Sequence, residues 1–117
     1  MIDKWSWVGN WSKRRALISP NKIAIYDNIE KKDYSYLELE KRANRTANYL
    51  HSLKINKGDR IGVFSKNRIE QIDLFHATAK LGAIFVPFNV RLSLPEILYL
   101  IQLTKPKIMF FDGTVRQ

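Results

Sequence analysis

Five side chains fall where an α/β sheet gathers its ligands. Ser65, Lys66 and Asn67 follow one apolar run, and Asn89 and Arg91 follow the next. Open parallel sheets bind ligands beyond the carboxyl ends of their strands, so these five are candidates to line a cleft. Each also has plainer local work to do, Asn67 as a helix cap and Asn89 in loop hydrogen bonding. Beyond them the chemistry is sparse. The glycines Gly9, Gly58, Gly62, Gly82 and Gly113 make neither a Walker loop nor a dinucleotide fingerprint. His51 and His76 are isolated from any second histidine at ligand spacing and read as ordinary helix residues. Asp59 sits in a turn and Asp73 early in a helix, positions that suit an aspartate without any acid–base role. No Ser/His/Asp order stands out, and there is no cysteine to act as nucleophile or ligand. The sequence therefore assigns no catalytic, cofactor-binding or metal-ligating residue.

The elements that must position these groups centre on a βαβ crossover. Arg60–Ser65 and Ala83–Pro87 read as strands, the second a short continuous apolar run of the kind buried in parallel sheets. Between them a helix over Arg68–Leu81 opens with Asn67 as N-cap and Glu70 three residues on, and closes at Gly82. Such a unit closes right-handed.

Ahead of the crossover, a short helix from Asn10 or Trp11 ends at Ser19-Pro20, because the residue before a proline avoids helical angles. Its tryptophan-rich neighbourhood allows a membrane-interface anchor, but the reading preferred here is a lid helix with its indoles docked on the core. Lys22–Asp27 and Asp33–Tyr36 form a hairpin about a turn at Asn28–Lys32. Ser35-x-x-Glu38 is a capping box. The helix it opens runs to about Leu53, with Tyr36, Leu39, Ala43, Ala47, Leu50 and Leu53 as its apolar stripe and Arg42, Arg45 and Asn48 on a wet face. After the crossover, Ser93-x-x-Glu96 caps a helix over Leu94–Thr104 that is apolar nearly all round, as if covered on more than one side. Lys107–Phe111 is the last strand, a sticky edge if it ends the sheet. The expected fold is α/β: a doubly wound, partly parallel sheet (β-α-β-α-β) preceded by a hairpin and an amphipathic helix, with residues 1–117 as one domain.

Composition bounds the rest. The net charge of +9 invites a polyanion. However, the cations are scattered, with only Lys13-Arg14-Arg15 in a run, and no zinc finger, helix-turn-helix or aromatic RNP pattern accompanies them. No nucleic-acid partner is expected, and phosphates of a nucleotide or coenzyme would be served equally well. The cysteine-free composition, the lack of a secretory h-region and the lack of an apolar run of spanning length lead to an expectation of a cytoplasmic chain without a membrane span.

Several phrases then converge. Tyr34-Ser35-Tyr36-Leu37-Glu38-Leu39 resembles the first core motif of adenylate-forming enzymes. Residues Ala79 to Asn89, Lys-Leu-Gly-Ala leading into Val-Pro-Phe-Asn, resemble the second. Lys57-Gly58-Asp59-Arg60-Ile61, then Asn67 with Glu70, lie between them in the family's usual order, and Asn89-x-Arg91-Leu92 is similar to acyl-CoA synthetases rather than peptide-synthetase modules. The resemblance implies the N-terminal subdomain of that fold. It also implies a long- or medium-chain fatty-acid–CoA ligase chemistry in which ATP and Mg²⁺ convert a carboxylic acid to an acyl-adenylate that is passed to coenzyme A.

The family's phosphate loop, ribose-binding aspartate, hinge and catalytic lysine have no counterpart among these residues. The chain is accordingly expected to be a truncated fragment, inactive alone, that binds none of the cofactors tightly. Its expected partners are the remainder of the ligase or a second copy of itself. The rival reading is a free-standing, non-enzymatic α/β module that self-associates through its exposed edge. A third, a basic nucleotide- or nucleic-acid-binding domain, would bind with steep salt dependence.

Overall fold

In the computed structural model of the protein, residues 10–112 are described. In chain order the elements are α1 (Trp11–Ile18), β1 (Ile23–Asp27), β2 (Lys32–Ser35), α2 (Tyr36–Ser52), β3 (Arg60–Phe64), α3 (Ile69–Leu81), β4 (Ile84–Phe88), α4 (Leu94–Thr104) and β5 (Ile108–Phe111). The predicted elements all form, with ends displaced by a residue or so.

β3 is the centre of a three-stranded sheet of order β4-β3-β5, both pairings parallel, with Ile61 opposite Phe85 and Ile108. The chain moves from β3 to β4 in one direction and from β4 back across β3 to β5. Two right-handed crossovers on that path lie on opposite faces of the sheet. On the α3 face, Ile61 meets Ala47 and Leu50 of α2, Ile55 and Ala77, all essentially without solvent exposure. The hairpin β1–β2 forms its own antiparallel pair, and Tyr34 of that hairpin packs with Leu39 and Ile69.

Local chemistry sets the joints. Ser35 and Ser93 each accept the N–H of the residue three on, while Glu38 and Glu96 return the bond to the cap's own N–H. Those backbone donors hold both glutamate carboxyls below their ordinary pKa. Gly82 ends α3 at φ 71°, a left-handed conformation that a side chain disfavours. Gly62 has another reason to be glycine, since a Cβ there would collide with the Met109 sulfur across the β3–β5 pair.

Two expectations about the elements fail. Asn67 is not the cap of α3. Arg68 holds that position and makes no side-chain cap bond, because a guanidinium has no acceptor to offer the orphan amides. It reaches instead to Asp112 at the end of β5 (3.0 Å). α4 is covered on one side only. Ile97 is buried, while Leu94, Leu98, Tyr99 and Leu103 on its outer side are exposed. β5 is an edge strand, as is β4.

Candidate anion-binding cleft

The carboxyl ends of β3 and β4 open onto a cleft of about 630 Å³, and Ser65, Lys66, Asn67, Asn89 and Arg91 all line it, joined by Gln71 from α3. The fold thus brings together all five residues singled out by position. Asn89 does the loop work expected of it, its Oδ1 accepting the Arg91 N–H at 2.9 Å. Ser65 donates to the Lys66 carbonyl at 2.6 Å. Asn67, released from capping, contributes its amide to the wall.

The electrostatics are one-sided. Lys66 and Arg91 carry the only formal charges in the lining, and among the described residues neither makes an ion pair. Neighbouring cavities differ. The one between the hairpin and α3, which Lys66 and Asn67 also line, mixes Lys32, Arg42, Lys66 and Arg68 with Asp27, Glu30, Glu70 and Asp112, so its charges offset one another.

The other singled-out residues have structural work. Asp59 accepts the Asn56 N–H at 2.7 Å and the Lys107 ammonium at 3.1 Å, and the backbone bond followed by Lys107 lowers its pKa. His51 is exposed on the last turn of α2. His76 is half-buried, and that burial, with Lys80 nearby, pushes its pKa below the ordinary value. Asp73, early in α3 as expected, is buried. It receives Nε and Nη2 of Arg42 at 3.0 and 2.8 Å, which also takes Arg42 off the wet face. Trp11, expected to dock on the core, is 60 % exposed; Trp5 and Trp7 lie outside the described residues.

Sequence reasoning missed a polar hub between α1, α2 and α3. The Lys80 ammonium, 2 % exposed, lies 2.8 and 3.0 Å from the two Glu40 oxygens and 2.8 Å from Asn10 Oδ1. Ser12 donates to Glu40 at 2.7 Å. A detectable sign was present, for Glu40 falls within the apolar spacing of α2 and Lys80 three residues past Ala77. Among the described residues no group of three or more His, Cys, Asp and Glu side chains could hold a metal ion, and no helix is long and apolar enough to cross a membrane.

Comparison with known proteins gives concordant matches. The family profile described as AMP-binding enzyme matches residues 12–117. The long-chain-fatty-acid–CoA ligase FadD13 of Mycobacterium tuberculosis is 34 % identical over 106 residues, covering 91 % of this chain and 21 % of that protein. A 2-succinylbenzoate–CoA ligase of Bacillus anthracis is 33 % identical over 90 residues, 77 % of this chain and 18 % of that one. The inhibitor-bound N-terminal domain of FACL13 from Mycobacterium tuberculosis superposes with a TM-score of 0.85 at 32 % identity, over 92 % of this chain and 28 % of that one. The chain spans about a fifth of the length of these curated relatives.

Proposed function

The chain belongs to the family of AMP-binding enzymes, and from that premise we propose that it is the scaffold and one cleft wall of an ATP-dependent acid–CoA ligase acting on a fatty or other carboxylic acid. In the whole enzyme the carboxylate displaces pyrophosphate from ATP with the help of Mg²⁺, and the thiol of coenzyme A then displaces AMP from the acyl-adenylate. The observation that carries the reading is the cleft beyond β3 and β4, whose lining holds two cations, no carboxylate and, among the described residues, no ion pair to either cation. Carboxylate, triphosphate and coenzyme phosphates are all anions, and a concave surface of one sign raises their local concentration. Phosphoryl chemistry also requires a phosphate cradle and metal ligands placed on the reacting atoms. No residue of these 117 carries the family phrase for either, so the chain contributes binding surface and no catalytic residue, folds as one domain, binds ATP, Mg²⁺ and CoA only weakly by itself and works in the cytoplasm without a nucleic-acid partner.

The test is a titration of the 117-residue chain with pyrophosphate, followed by amide NMR. Shifts should concentrate at residues 65–67 and 89–91 and disappear in a Lys66→Ala/Arg91→Ala variant, with ATP–pyrophosphate exchange at background. Shifts spread evenly over the surface cations would remove the cleft from the reading, and exchange above background would overturn the claim of inactivity.

A second reading, a non-enzymatic module that self-associates, is favoured by one feature: the uncovered outer side of α4 beside the free edge of β5, where Phe111 is exposed. A clean monomer by light scattering at high concentration would dispose of it.

A further inference from the structure

The loop that carries Ser65, Lys66 and Asn67 into the cleft has both of its ends tied to one residue. It runs from the end of β3 to Arg68 at the cap position of α3. Among the described residues Ser65 bonds the adjacent Lys66 carbonyl, and Lys66 and Asn67 stand exposed, so these side chains do little to fix the loop's path. The anchor is Asp112, just past β5. Its N–H donates to the Phe64 carbonyl at 3.0 Å, which holds the first end of the loop. Its carboxylate accepts Nη1 of Arg68 at 3.0 Å, which holds the second. Beside that point Phe64 and Phe111 meet edge to face, with ring centroids 6.0 Å apart, and keep the end of β5 against β3. The Asp112 side chain is 2 % exposed and that of Arg68 43 %. A buried carboxylate needs its counter-charge, so the guanidinium is held where Asp112 puts it. The exposed Glu70, 3.4 Å from Nε, steadies it from outside.

We infer that the Arg68–Asp112 pair is a staple that presets the 65–67 loop for anion binding, which makes both of them positioning residues for the cleft. This rests on the reading of the cleft as an anion site and adds how its shape is kept. A loop fixed before the ligand arrives avoids the ordering cost that a slack loop would incur on binding. Other uses of Arg68 do not fit its place. As a helix cap it has no acceptor to give. As a ligand cation it stands outside the cleft lining and is already paired.

Pyrophosphate titration of the 117-residue chain, followed by amide NMR, tests the staple. The Arg68→Met/Asp112→Ala variant removes one charge of each sign, so net charge is unchanged and no carboxylate is left buried without a partner. It should raise the pyrophosphate Kd by about tenfold. Amide exchange at residues 65–67 should quicken while that of α2 and β3 stays as in the wild type. Asp112→Ala alone gives a check by sign. Asp112 shares a cavity with Lys66, so losing its charge would by itself tighten anion binding, whereas a loosened loop weakens it. Arg68→Lys, which can still pair with Asp112, should recover most of the affinity. A purely structural role would lower the melting temperature and leave the Kd of the folded protein unaltered. Wild-type binding at residues 65–67 and 89–91 with an unchanged Kd in the double variant, or tighter binding by Asp112→Ala, overturns the staple and leaves the cleft standing. Wild-type shifts that are absent from those residues would remove the cleft, and the staple's role with it.

Discussion

Opposite ends of α3 employ positive charge in opposite ways. Near its C-terminus, Lys80 is enclosed among three helices with its ammonium held by Glu40 and Asn10. At its N-terminus, Lys66 and Arg91 face a cleft that contains no carboxylate. A cation withdrawn from water costs several kcal/mol unless a counter-charge and hydrogen bonds replace its hydration, so Lys80 is tolerable only as part of the hub. An open cleft keeps its cations hydrated. They need no protein partner and remain available to an anion arriving from solution. Charge by itself therefore says little about function here, and what separates ligand surface from scaffold is whether the counter-charge is built in.

The largest effect should come from breaking the hub. Lys80→Met leaves the Glu40 carboxylate buried beside α1 and should cost about 3–5 kcal/mol in urea unfolding. Adding Glu40→Leu should restore much of that, because an apolar pair of similar volume replaces the ion pair. A Lys80→Met loss below about 1 kcal/mol, the size of a surface pair, would mean that the hub is no more demanding than the cleft.

A smaller effect follows from His76, which lies beside the hub. Its folded pKa is depressed, first by burial and then by Lys80, against the opposing pull of Asp73 and Glu40. The native state then holds fewer protons than the unfolded chain, so stability falls as pH drops below about 6.5, the unfolded value, and levels off once the folded value is passed. His76→Gln should flatten that stretch of the stability–pH curve; an unchanged slope would show that other groups cause it. The smallest effect belongs to the cleft. The Lys66→Ala/Arg91→Ala variant that abolishes pyrophosphate shifts should move stability by no more than about 0.5 kcal/mol, as expected of solvated positions.

What the sequence made legible is what short-range chemistry decides. The two capping boxes, the glycine end of α3 and the order of strands and helices depend on neighbours three or four residues apart, and each appears in the structure. The placement of Ser65, Lys66, Asn67, Asn89 and Arg91 in one cleft was equally readable, since parallel strands put their carboxyl ends together. The misreadings involve partners far away in the chain. Arg42 meets Asp73 across 31 positions and Lys80 meets Glu40 across 40, separations that no periodicity records. Asn67 was misjudged for a related reason: an asparagine before a helix caps well in isolation, but Arg68 is drawn to Asp112 at the end of β5, 44 residues on, and the helix starts one residue later. The apolar residues nearly all round α4 likewise suggested cover on more than one side, but spacing alone does not show which side these residues cover.

The bond from Lys80 to Asn10 joins residues 70 positions apart. At roughly 5–20 residues per second of synthesis, α1 leaves the ribosome on the order of 4–14 s before the ammonium that will fasten it exists. Ser12 of the same helix can bond Glu40 of α2 after only 28 further residues, so α1 is fastened in two stages, first to α2 and then, through its N-cap, to α3.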